Sequence, residues 1–268
     1  MPLTLKEIKS NGGGIFVGKE VLIRAQNLCK TYSTGSEQFH AIKNINIELY
    51  KGDFTVIMGN SGSGKSTLLY LLSGLDSITT GEVYFHGERL DTFTEQQLAT
   101  FRSKKIGYVY QSSNLVPDMT LLENITLPGY IAKYPKKDVL KKAEMLLNKM
   151  GLEEQQNRLP SQTSGGQQQR AAIARALVND PEILFADEPT GSLNYDQGVA
   201  VLDILTNLNN KGQSVVMITH DIKAACRANR LIIIQDGKIG GILNFDQYDD
   251  ASIQERENII FSYVAGKE

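Results

Sequence analysis

A glycine-rich octet, Gly59–Ser66, carries the most specific chemistry in the chain. It reads Gly-Asn-Ser-Gly-Ser-Gly-Lys-Ser, and this spacing between a strand-like and a helix-like segment is typical of loops whose amide N–H groups wrap a polyphosphate. The following helix would add roughly half a positive charge at the same point. A chance glycine-rich turn is the alternative interpretation.

Two side chains of the octet have predicted roles of their own. We expect Lys65 to reach the β and γ phosphates, and the Ser66 hydroxyl to take one place in the coordination shell of Mg²⁺. The residues predicted to bind along the phosphates are Gly59, Asn60, Ser61, Gly62, Ser63, Gly64, Lys65, Ser66 and Thr67.

A pair of carboxylates, Asp187 and Glu188, follows the apolar segment Ile183–Ala186. Ligands bind at the carboxyl ends of parallel strands, so both acids would be well placed for chemistry. We predict that Asp187 holds Mg²⁺ through water and that Glu188 polarises the attacking water as a general base. Taken alone, the two acids are equally well explained as caps of the next helix, and the phosphate-binding loop favours the catalytic interpretation.

A second glycine-rich segment precedes a helix predicted over Ser164–Asn179. Backbone N–H groups at such a helix start attract anions, so this segment predicts a second phosphate site. Taken alone, the segment is more simply interpreted as an N-cap preceded by a flexible entry into the helix. The residues of the predicted second site are Ser164, Gly165, Gly166 and Gln167.

Two polar residues, His220 and Gln111, end further apolar segments. His220 would donate a hydrogen bond to a γ phosphate, whereas the amide oxygen of Gln111 would meet Mg²⁺ or the nucleophilic water. A single His or Gln at a strand end is more often structural. That structural role is the one expected for His40 and His86.

Alternating strands and helices are predicted to position these side chains. Period-two patterning or short apolar runs predict strands at Val21–Ala25, Ile45–Leu49, Phe54–Met58, Glu82–His86 and Ile106–Tyr110. A peripheral helix is predicted at Asp138–Met150. From residue 164 helices alternate with strands, which indicates a parallel sheet covered by helices: the segments are Ser164–Asn179, Glu182–Ala186, Tyr195–Asn209, Ser214–Ile218, Asp221–Ala228 and a final strand Leu231–Gln235. Ser252 and Glu255 predict a capping box near the C-terminus.

Composition and charge exclude several classes of protein. Of the 268 residues, 41% are hydrophobic and 22% are charged, so the chain is expected to bury a core. The net charge of -2 gives no basic field, so no nucleic-acid partner is expected. No apolar run approaches the roughly 20 residues of a membrane span. Cys29 and Cys226 lack disulfide or metal spacing, and residues 1–19 read as a polar extension, so a cytoplasmic protein is expected.

In chain order these motifs resemble those of an ABC-transporter nucleotide-binding domain, across residues 21 to about 240. The segment Thr163–Gln167 is similar to the family signature Leu-Ser-Gly-Gly-Gln. The resemblance implies an α/β fold, in which a P-loop NTPase core with a mainly parallel sheet carries an N-terminal antiparallel β subdomain and an inserted helical subdomain at about 95–160. The implied domain covers residues 20–240, and residues 241–268 form a partly helical C-terminal tail.

The resemblance also implies a reaction and its partners. The family hydrolyses ATP with Mg²⁺, and Tyr32 matches the aromatic residue that stacks on adenine. Two domains meet head to tail, so that the phosphate loop of one and Ser164–Gln167 of the other enclose each ATP. We therefore expect an ATPase that works as a homodimer or ABC-domain dimer. It would energise an integral membrane permease from the cytoplasmic face of the cell membrane.

Two segments, Asn114–Asn124 and Ala186–Gly191, resemble the branch of the family that serves lipoprotein release, macrolide export and antimicrobial-peptide resistance. Export or extrusion is the implied direction of transport. Thr163 stands where the family has Leu, and Asn194 stands where it has Asp, which removes a charge at the dimer seam. We expect slower or differently coupled hydrolysis. The alternatives are a soluble ABC ATPase without a permease and a nucleotide-gated regulatory module with little turnover.

Apolar residues are dense in the segment after the predicted active-site glutamine. We predict that Val116, Pro117 and Met119 line an exposed groove that receives a short cytoplasmic helix of the permease. Leu121 and Leu122 are equally well explained as core residues of the helical subdomain.

Overall fold

The computed structural model describes residues 19–266, which belong to two units of the chain. Unit 1 comprises Met1–Thr92 and Thr206–Glu268, and unit 2 comprises Phe93–Leu205. The polar extension predicted over residues 1–19 lies, apart from its last residue, outside the described part of the chain. Within residues 19–266, every helix is too short or too polar to cross a bilayer.

The secondary structure of residues 19–266 consists mainly of strands and α-helices. The strands are β1 (Val21–Thr34), β2 (Glu37–Tyr50), β3 (Phe54–Met58), β4 (Thr80–Phe85), β5 (Glu88–Arg89), β6 (Ile106–Val109), β7 (Ile183–Asp187), β8 (Ser214–Ile218), β9 (Arg230–Gln235) and β10 (Lys238–Asn244). The helices are α1 (Lys65–Leu72), α2 (Glu95–Lys105), α3 (Leu121–Ile131), α4 (Lys136–Lys149), α5 (Gly165–Leu177), α6 (Tyr195–Asn210), α7 (Ile222–Ala225) and α8 (Ile253–Ala265). By residue number, α6 begins in unit 2 and ends in unit 1.

An antiparallel sheet in unit 1 has the spatial order β2, β1, β4, β5. The first two strands form a long hairpin that extends well beyond the predicted strands Val21–Ala25 and Ile45–Leu49. The pairing register of this hairpin shifts at several points, for example between Ala25 and Leu28. Each shift interrupts the period-two alternation, so the pattern alone underestimates the length of both strands.

The other strands of unit 1 are neighbours in the order β10, β9, β3, β8. Strand β3 runs parallel to β8 and to β9, and β10 is antiparallel to β9. Every residue of β3 and β8 is buried, as expected of parallel strands covered on both faces. Both strands match their predicted bounds, Phe54–Met58 and Ser214–Ile218.

A strand lies at the predicted position Leu231–Gln235, as β9, but the prediction that it is the final strand is wrong. Strand β10 follows it. The turn at Asp236 and Gly237 leads directly into this antiparallel strand. Gly240 and Gly241 obscure the strand pattern, since glycine is rare in strands and here accompanies a register shift between Ile239 and Gly241.

Unit 2 contains the parallel pair β6 and β7 together with α2, α3, α4 and α5. Three of these helices begin with a capping box, in which a Ser or Thr side chain and a Gln or Glu three residues later satisfy each other's backbone N–H groups. Helix α4 buries the apolar stripe Val139, Ala143, Leu146 and Leu147. This stripe has the helical spacing that was predicted for the segment.

The capping box predicted at Ser252 and Glu255 is wrong. Ser252 has helical dihedral angles and no side-chain capping bond, because a 3₁₀ turn over Asp250–Ser252 leads without a break into α8. The hydroxyl of Ser252 instead donates to the backbone oxygen of Asp249, whose carboxylate accepts from the Ser252 N–H. The cap therefore lies one turn earlier than the pattern indicates.

Candidate functional site

The phosphate loop between β3 and α1 has the tight conformation that its glycines permit. Gly59 has φ +152°, and a Cβ there would overlap the backbone oxygen of Ile234. Gly64 has φ +101°, and a Cβ would lie 2.5 Å from the backbone oxygen of Ala41. Any side chain at either position would collide with backbone, so both glycines are required by the fold of the loop.

The backbone of the loop accepts hydrogen bonds from the amine of Lys65. Lys65 Nζ donates to the backbone oxygens of Gly59 at 2.9 Å and Asn60 at 2.8 Å. The Ser63 backbone oxygen accepts from the N–H of Gly237 at 3.0 Å, while the buried Ser63 hydroxyl has no hydrogen-bond partner within residues 19–266. A buried cation and an unsatisfied hydroxyl in a nest of glycines fit a polyphosphate guest.

The ring of Tyr32 is braced by two charged residues. Its hydroxyl donates to Asp76 Oδ2 at 2.7 Å, and Asp76 Oδ1 accepts from the buried amine of Lys30 at 2.7 Å. Lys30 Nζ also lies 4.8 Å from the centre of the Tyr32 ring. A hydrogen bond with the Thr67 side chain ties the same hydroxyl to the first turn of α1.

The pKa values of this group follow from these contacts. Burial alone would raise the pKa of Asp76, but hydrogen bonds from Lys30 and Tyr32 outweigh it and lower the pKa below its usual range. Burial and the hydrogen bond to the Asp76 carboxylate both raise the pKa of the Tyr32 phenol. At neutral pH Asp76 is therefore ionised and Tyr32 is neutral, which keeps the donor and acceptor of their bond in place.

Substitution of Asp76 with Ala is expected to weaken ATP binding about tenfold and to leave tripolyphosphate binding unchanged. The stacking of a base on an aromatic ring contributes about 1–3 kcal/mol, and the loss of the brace would free the Tyr32 ring. Tripolyphosphate has no base, so it would report on the phosphate loop alone. Titration calorimetry with both ligands would measure the two affinities.

The matched control is Glu37→Ala, which removes an exposed carboxylate from the hairpin that carries Tyr32. This variant should bind both ligands normally. Equal losses for ATP and tripolyphosphate in Asp76→Ala would show damage to the loop instead of the ring. Unchanged ATP affinity would show either that Tyr32 does not stack on the base or that its ring needs no brace.

His220 follows β8 on the edge of the sheet from which the phosphate loop leaves β3. Strands β3 and β8 are parallel, with Ile57 opposite Ile218. Their carboxyl ends therefore lie at the same edge of the sheet. His220 is exposed. His220 and the phosphate loop, which were predicted to act on the same phosphates, therefore lie at one edge of the sheet within unit 1.

Gln111 and the pair Asp187 and Glu188 come together in the same way within unit 2. Val109 pairs with Ala186 in the parallel strands β6 and β7, so both motifs leave at one edge. The Gln111 side chain packs so closely on Gly191 that a Cβ there would lie 2.8 Å from Gln111 Nε2.

Glu188 has an uncommon backbone conformation for a residue with a side chain, with φ +46°. Its carbonyl accepts from the N–H of Gly191 in the turn that follows β7. Positive φ at a non-glycine residue costs free energy and clusters at functional sites. Asp187 ends strand β7 and Glu188 begins the turn after it, so the two acids have different backbone environments, which fits different roles for them.

The segment Ser164–Gln167 begins α5 with Ser164 as the N-cap, as its simpler interpretation predicts, and the phosphate site at the same place stays a prediction. The Ser164 hydroxyl accepts from the N–H of Gln167 at 3.3 Å, and Gln167 Oε1 accepts from the N–H of Ser164 at 2.8 Å. A Cβ at Gly166 would lie 2.9 Å from Gln197 Cγ. The glycine is therefore required where α5 meets the start of α6.

The two departures from the family pattern have local structural roles. Thr163 donates its hydroxyl to the backbone oxygen of Pro160 at 2.8 Å. The Asn194 side-chain oxygen accepts from the N–H of Gln197 at 3.0 Å and so caps α6. Asn caps helices as well as Asp does, so the change at Asn194 removes a negative charge and keeps the cap.

The donor set of the predicted magnesium ligands suits that ion. Ser66, Gln111 and Asp187 offer hydroxyl, amide and carboxylate oxygens, which are hard ligands. Among residues 19–266, no cluster of three or more His, Cys, Asp or Glu side chains could enclose a metal. This composition fits Mg²⁺, which is commonly bound by one or two carboxylates together with phosphates and water.

Sequence reasoning missed the supports of the site. Lys30 and Asp76 brace Tyr32, and Gly237 closes the phosphate loop, yet none belongs to a motif. The two histidines assigned structural roles have protein partners: His40 Nδ1 is 2.9 Å from Thr31 Oγ1, and His86 Nδ1 is 3.5 Å from a carboxylate oxygen of Glu20.

The chain matches known sequences over most of its length. A family model described as ABC transporter matches residues 42–191. An uncharacterized ABC transporter ATP-binding protein of Methanocaldococcus jannaschii is 45% identical over 223 residues, which are 83% of this chain and 100% of that protein. The macrolide export ATP-binding/permease protein MacB of Mannheimia succiniciproducens is 43% identical over 218 residues, which are 81% of this chain and 34% of MacB. The match thus spans about a third of MacB.

Solved structures share the fold. A dimeric ATP-binding cassette in a post-hydrolysis state, bound to ADP and phosphate, superimposes with a TM-score of 0.78 at 39% identity, covering 85% of this chain and 100% of that one. The cbiO1 protein of Clostridium perfringens, part of the transporter complex cbiONQ, has a TM-score of 0.76 at 24% identity over 92% of this chain and 96% of its own. The latter similarity bears on the fold alone.

Proposed function

This chain belongs to the ABC transporter ATP-binding family, and from that premise we propose how its residues bind and hydrolyse ATP. The observation that carries the proposal is the phosphate loop closed around Lys65, whose amine already satisfies two backbone oxygens of the loop. In this proposal the loop N–H groups and Lys65 bind the β and γ phosphates, while Tyr32 stacks on the adenine.

Hydrolysis is assigned to four side chains. Glu188 polarises the attacking water, and Gln111 orients that water from the neighbouring strand end. His220 donates a hydrogen bond to the γ phosphate as charge develops there. Asp187 acts through the metal: Ser66, Gln111 and Asp187 would hold Mg²⁺, which supplies charge neutralisation on the phosphates when bound.

The working state is a head-to-tail dimer. The phosphate loop of one protomer faces Ser164–Gln167 of the partner subunit, so each ATP is enclosed by both chains. The similar cassette bound to ADP and phosphate is dimeric, which supports this arrangement. Hydrolysis then reopens the pair. The missing charge at Asn194 weakens the electrostatic interaction between the two protomers at the seam, and we expect hydrolysis to be slow or differently coupled.

The partner of the dimer is an integral membrane permease, which this subunit energises from the cytoplasmic face of the membrane. MacB joins an ATP-binding part and a permease in one chain and is named for macrolide export. This relationship supports export or extrusion as the direction of transport. The residues that recognise the cargo belong to the permease.

The loop before α3 is the proposed contact with the permease. The buried side chain of Asn124 holds its backbone, accepting from the N–H of Val116 at 2.7 Å and donating to the backbone oxygens of Val116 and Met119. Arg175 donates to the backbone oxygen of Ser113 at 2.8 Å. The side chains of Val116 and Met119 are half-buried and that of Pro117 is exposed, whereas Leu121 is buried in the core.

Met119→Asp and Val116→Asp are expected to fold and bind ATP, yet to lose both co-purification with the permease and its stimulation of ATP hydrolysis. The backbone bonds to Asn124 do not involve either side chain, so the loop would persist. The measurement is phosphate release from Mg-ATP by the full chain, alone and with the permease. A charged residue buried in an interface without a partner would cost several kcal/mol.

Asp118→Ala, an exposed position in the same turn, should behave as wild type. Soluble, fully coupled Asp variants would place the permease contact elsewhere, and insoluble ones would assign those residues to the core. A wild-type chain that released no phosphate from Mg-ATP with the permease present would contradict the ATPase itself.

A further inference from the structure

The last helix of the described chain, α8, is anchored by a buried arginine. Arg256 is 1% exposed, and its guanidinium donates four hydrogen bonds. Two go to the backbone oxygens of Cys226 and Ala228, both at 2.9 Å. The other two go to the backbone oxygens of Asp246 at 2.7 Å and Gln247 at 3.1 Å. One side chain thus joins the end of α7 to the segment after β10.

Two aromatic rings and the carbonyl end of α7 surround the guanidinium of Arg256. The rings of Phe245 and Tyr248 lie 5.2 and 5.6 Å from its centre. Carbonyl groups at a helix end carry partial negative charge, so the end of α7 suits a cation. Burying a guanidinium is costly unless its donors are satisfied. Both terminal nitrogens of Arg256 donate twice, while its buried Nε has no hydrogen-bond partner among residues 19–266. Movement of α8 relative to α7 would break the bonds to Cys226 and Ala228 together.

The segment held by Arg256 begins at His220. Asp221 caps α7 by accepting from the N–H of Lys223 at 2.8 Å, and the Asp221 N–H donates to the hydroxyl of the buried Thr219 at 3.0 Å. Helix α7 spans only Ile222–Ala225. A single helical turn is unstable by itself, so its position depends on the elements packed against it.

Helix α8 also forms one wall of an open groove of about 660 Å³ beside His220. One wall of the groove consists of His220, Asp221, Ile222 and Lys223, and the other of Glu257, Asn258 and Phe261. The side chain of Phe261 is 63% exposed. The C-terminal helix is therefore the neighbour of the histidine segment as well as its anchor.

We propose that Arg256 is a positioning residue for His220. By fixing the far end of α7, α8 holds the backbone from which His220 reaches the γ phosphate, so that the C-terminal helix acts on the hydrolysis step and not on ATP binding. This inference rests on the proposed function, which assigns His220 to the γ phosphate. The helix thereby gains a role that the motifs of the chain do not predict.

The test is a double-mutant cycle with His220→Ala and Arg256→Met in the full chain. We expect Arg256→Met to lower kcat about ten- to a hundredfold, as misplacement of a catalytic group does, with the Kd for ATP unchanged. In the His220→Ala background, Arg256→Met should have no further effect beyond about twofold, because residues that act through one another are not additive. Gln254→Ala, an exposed change on the same helix, should keep wild-type kcat.

The outcomes separate this inference from the proposed function. Independent, multiplicative losses in the double mutant would overturn the positioning role while leaving His220 in the mechanism. A His220→Ala variant with normal turnover would contradict the role of His220 itself, and with it the inference. If Arg256→Met is insoluble, Ile260→Ala carries the same cycle, since Ile260 is a fully buried anchor of α8.

Cys226 provides a readout of helix docking that does not involve activity. It is buried, and its Sγ lies 3.9 Å from the backbone oxygen of Ile253 at the start of α8. In a Cys29→Ser background, Arg256→Met should make Cys226 react at least tenfold faster with a soluble disulfide reagent than in the parent. Unchanged protection of Cys226 with lowered kcat would show that Arg256 does not hold α8 against α7.

Discussion

Glu188→Gln is expected to lower turnover by roughly two to four orders of magnitude, the usual contribution of a general base, and to leave ATP binding intact. An amide of the same shape cannot accept the proton of the attacking water. The phosphate loop, which binds the nucleotide in our proposal, lies on a different element and is untouched by the change. Phosphate release at saturating Mg-ATP and the binding of a fluorescent ATP analogue would measure the two effects.

Glu154→Gln is the matched control, because it makes the same change at an exposed glutamate in a 3₁₀ turn. It should keep normal turnover. Near-normal turnover in Glu188→Gln would remove Glu188 from the role of base. A large loss of ATP affinity in that variant would show instead that the carboxylate shapes the binding site.

Elements with continuous burial could be predicted from the sequence residue by residue. Strands β3 and β8 are buried on both faces, so their apolar runs begin and end where the strands do. The hairpin of β1 and β2 could not be predicted in full, because its register shifts at Ala25 and Leu28 break the alternation on which a strand prediction depends. Strand β10 was missed for a related reason, its adjacent glycines.

The conformation of the phosphate loop was predictable because its cause is local. Gly59 and Gly64 occupy positions where any side chain would collide with backbone, so the spacing of these two glycines indicates the shape of the loop. The braces could not be predicted, since they join distant positions. Asp76 lies 44 residues beyond Tyr32, and Arg256 lies 30 residues beyond Cys226. Only the folded arrangement makes them partners.

Asn194 satisfies the fold without the negative charge that the family has at this position. As the cap of α6 it accepts from the N–H of Gln197, which an aspartate would do equally well. A requirement of the fold therefore does not explain why the charge is absent. In the proposed head-to-tail dimer, the missing charge would act at the seam with the partner subunit.

Ser164→Arg is expected to abolish the ATP-dependent dimer and to leave the affinity of the monomer for ATP largely intact. In the proposed arrangement Ser164 faces the phosphate loop of the partner subunit, so an arginine would bring bulk and charge into the seam. The Glu188→Gln background prevents hydrolysis from dissolving the dimer. Light scattering after gel filtration, with and without Mg-ATP, would measure the mass of the particle.

The substitution also removes the cap of α5, since the Ser164 hydroxyl accepts from the N–H of Gln167. Loss of a cap costs about 1 kcal/mol of stability, so dimer formation should be measured far below the melting temperature. Ser161→Arg is the matched control, because it adds the same side chain at an exposed position three residues earlier, and it should still dimerise. If Ser164→Arg dimerises as well as its parent does, the head-to-tail model is wrong, and Ser164–Gln167 is a helix cap and no more.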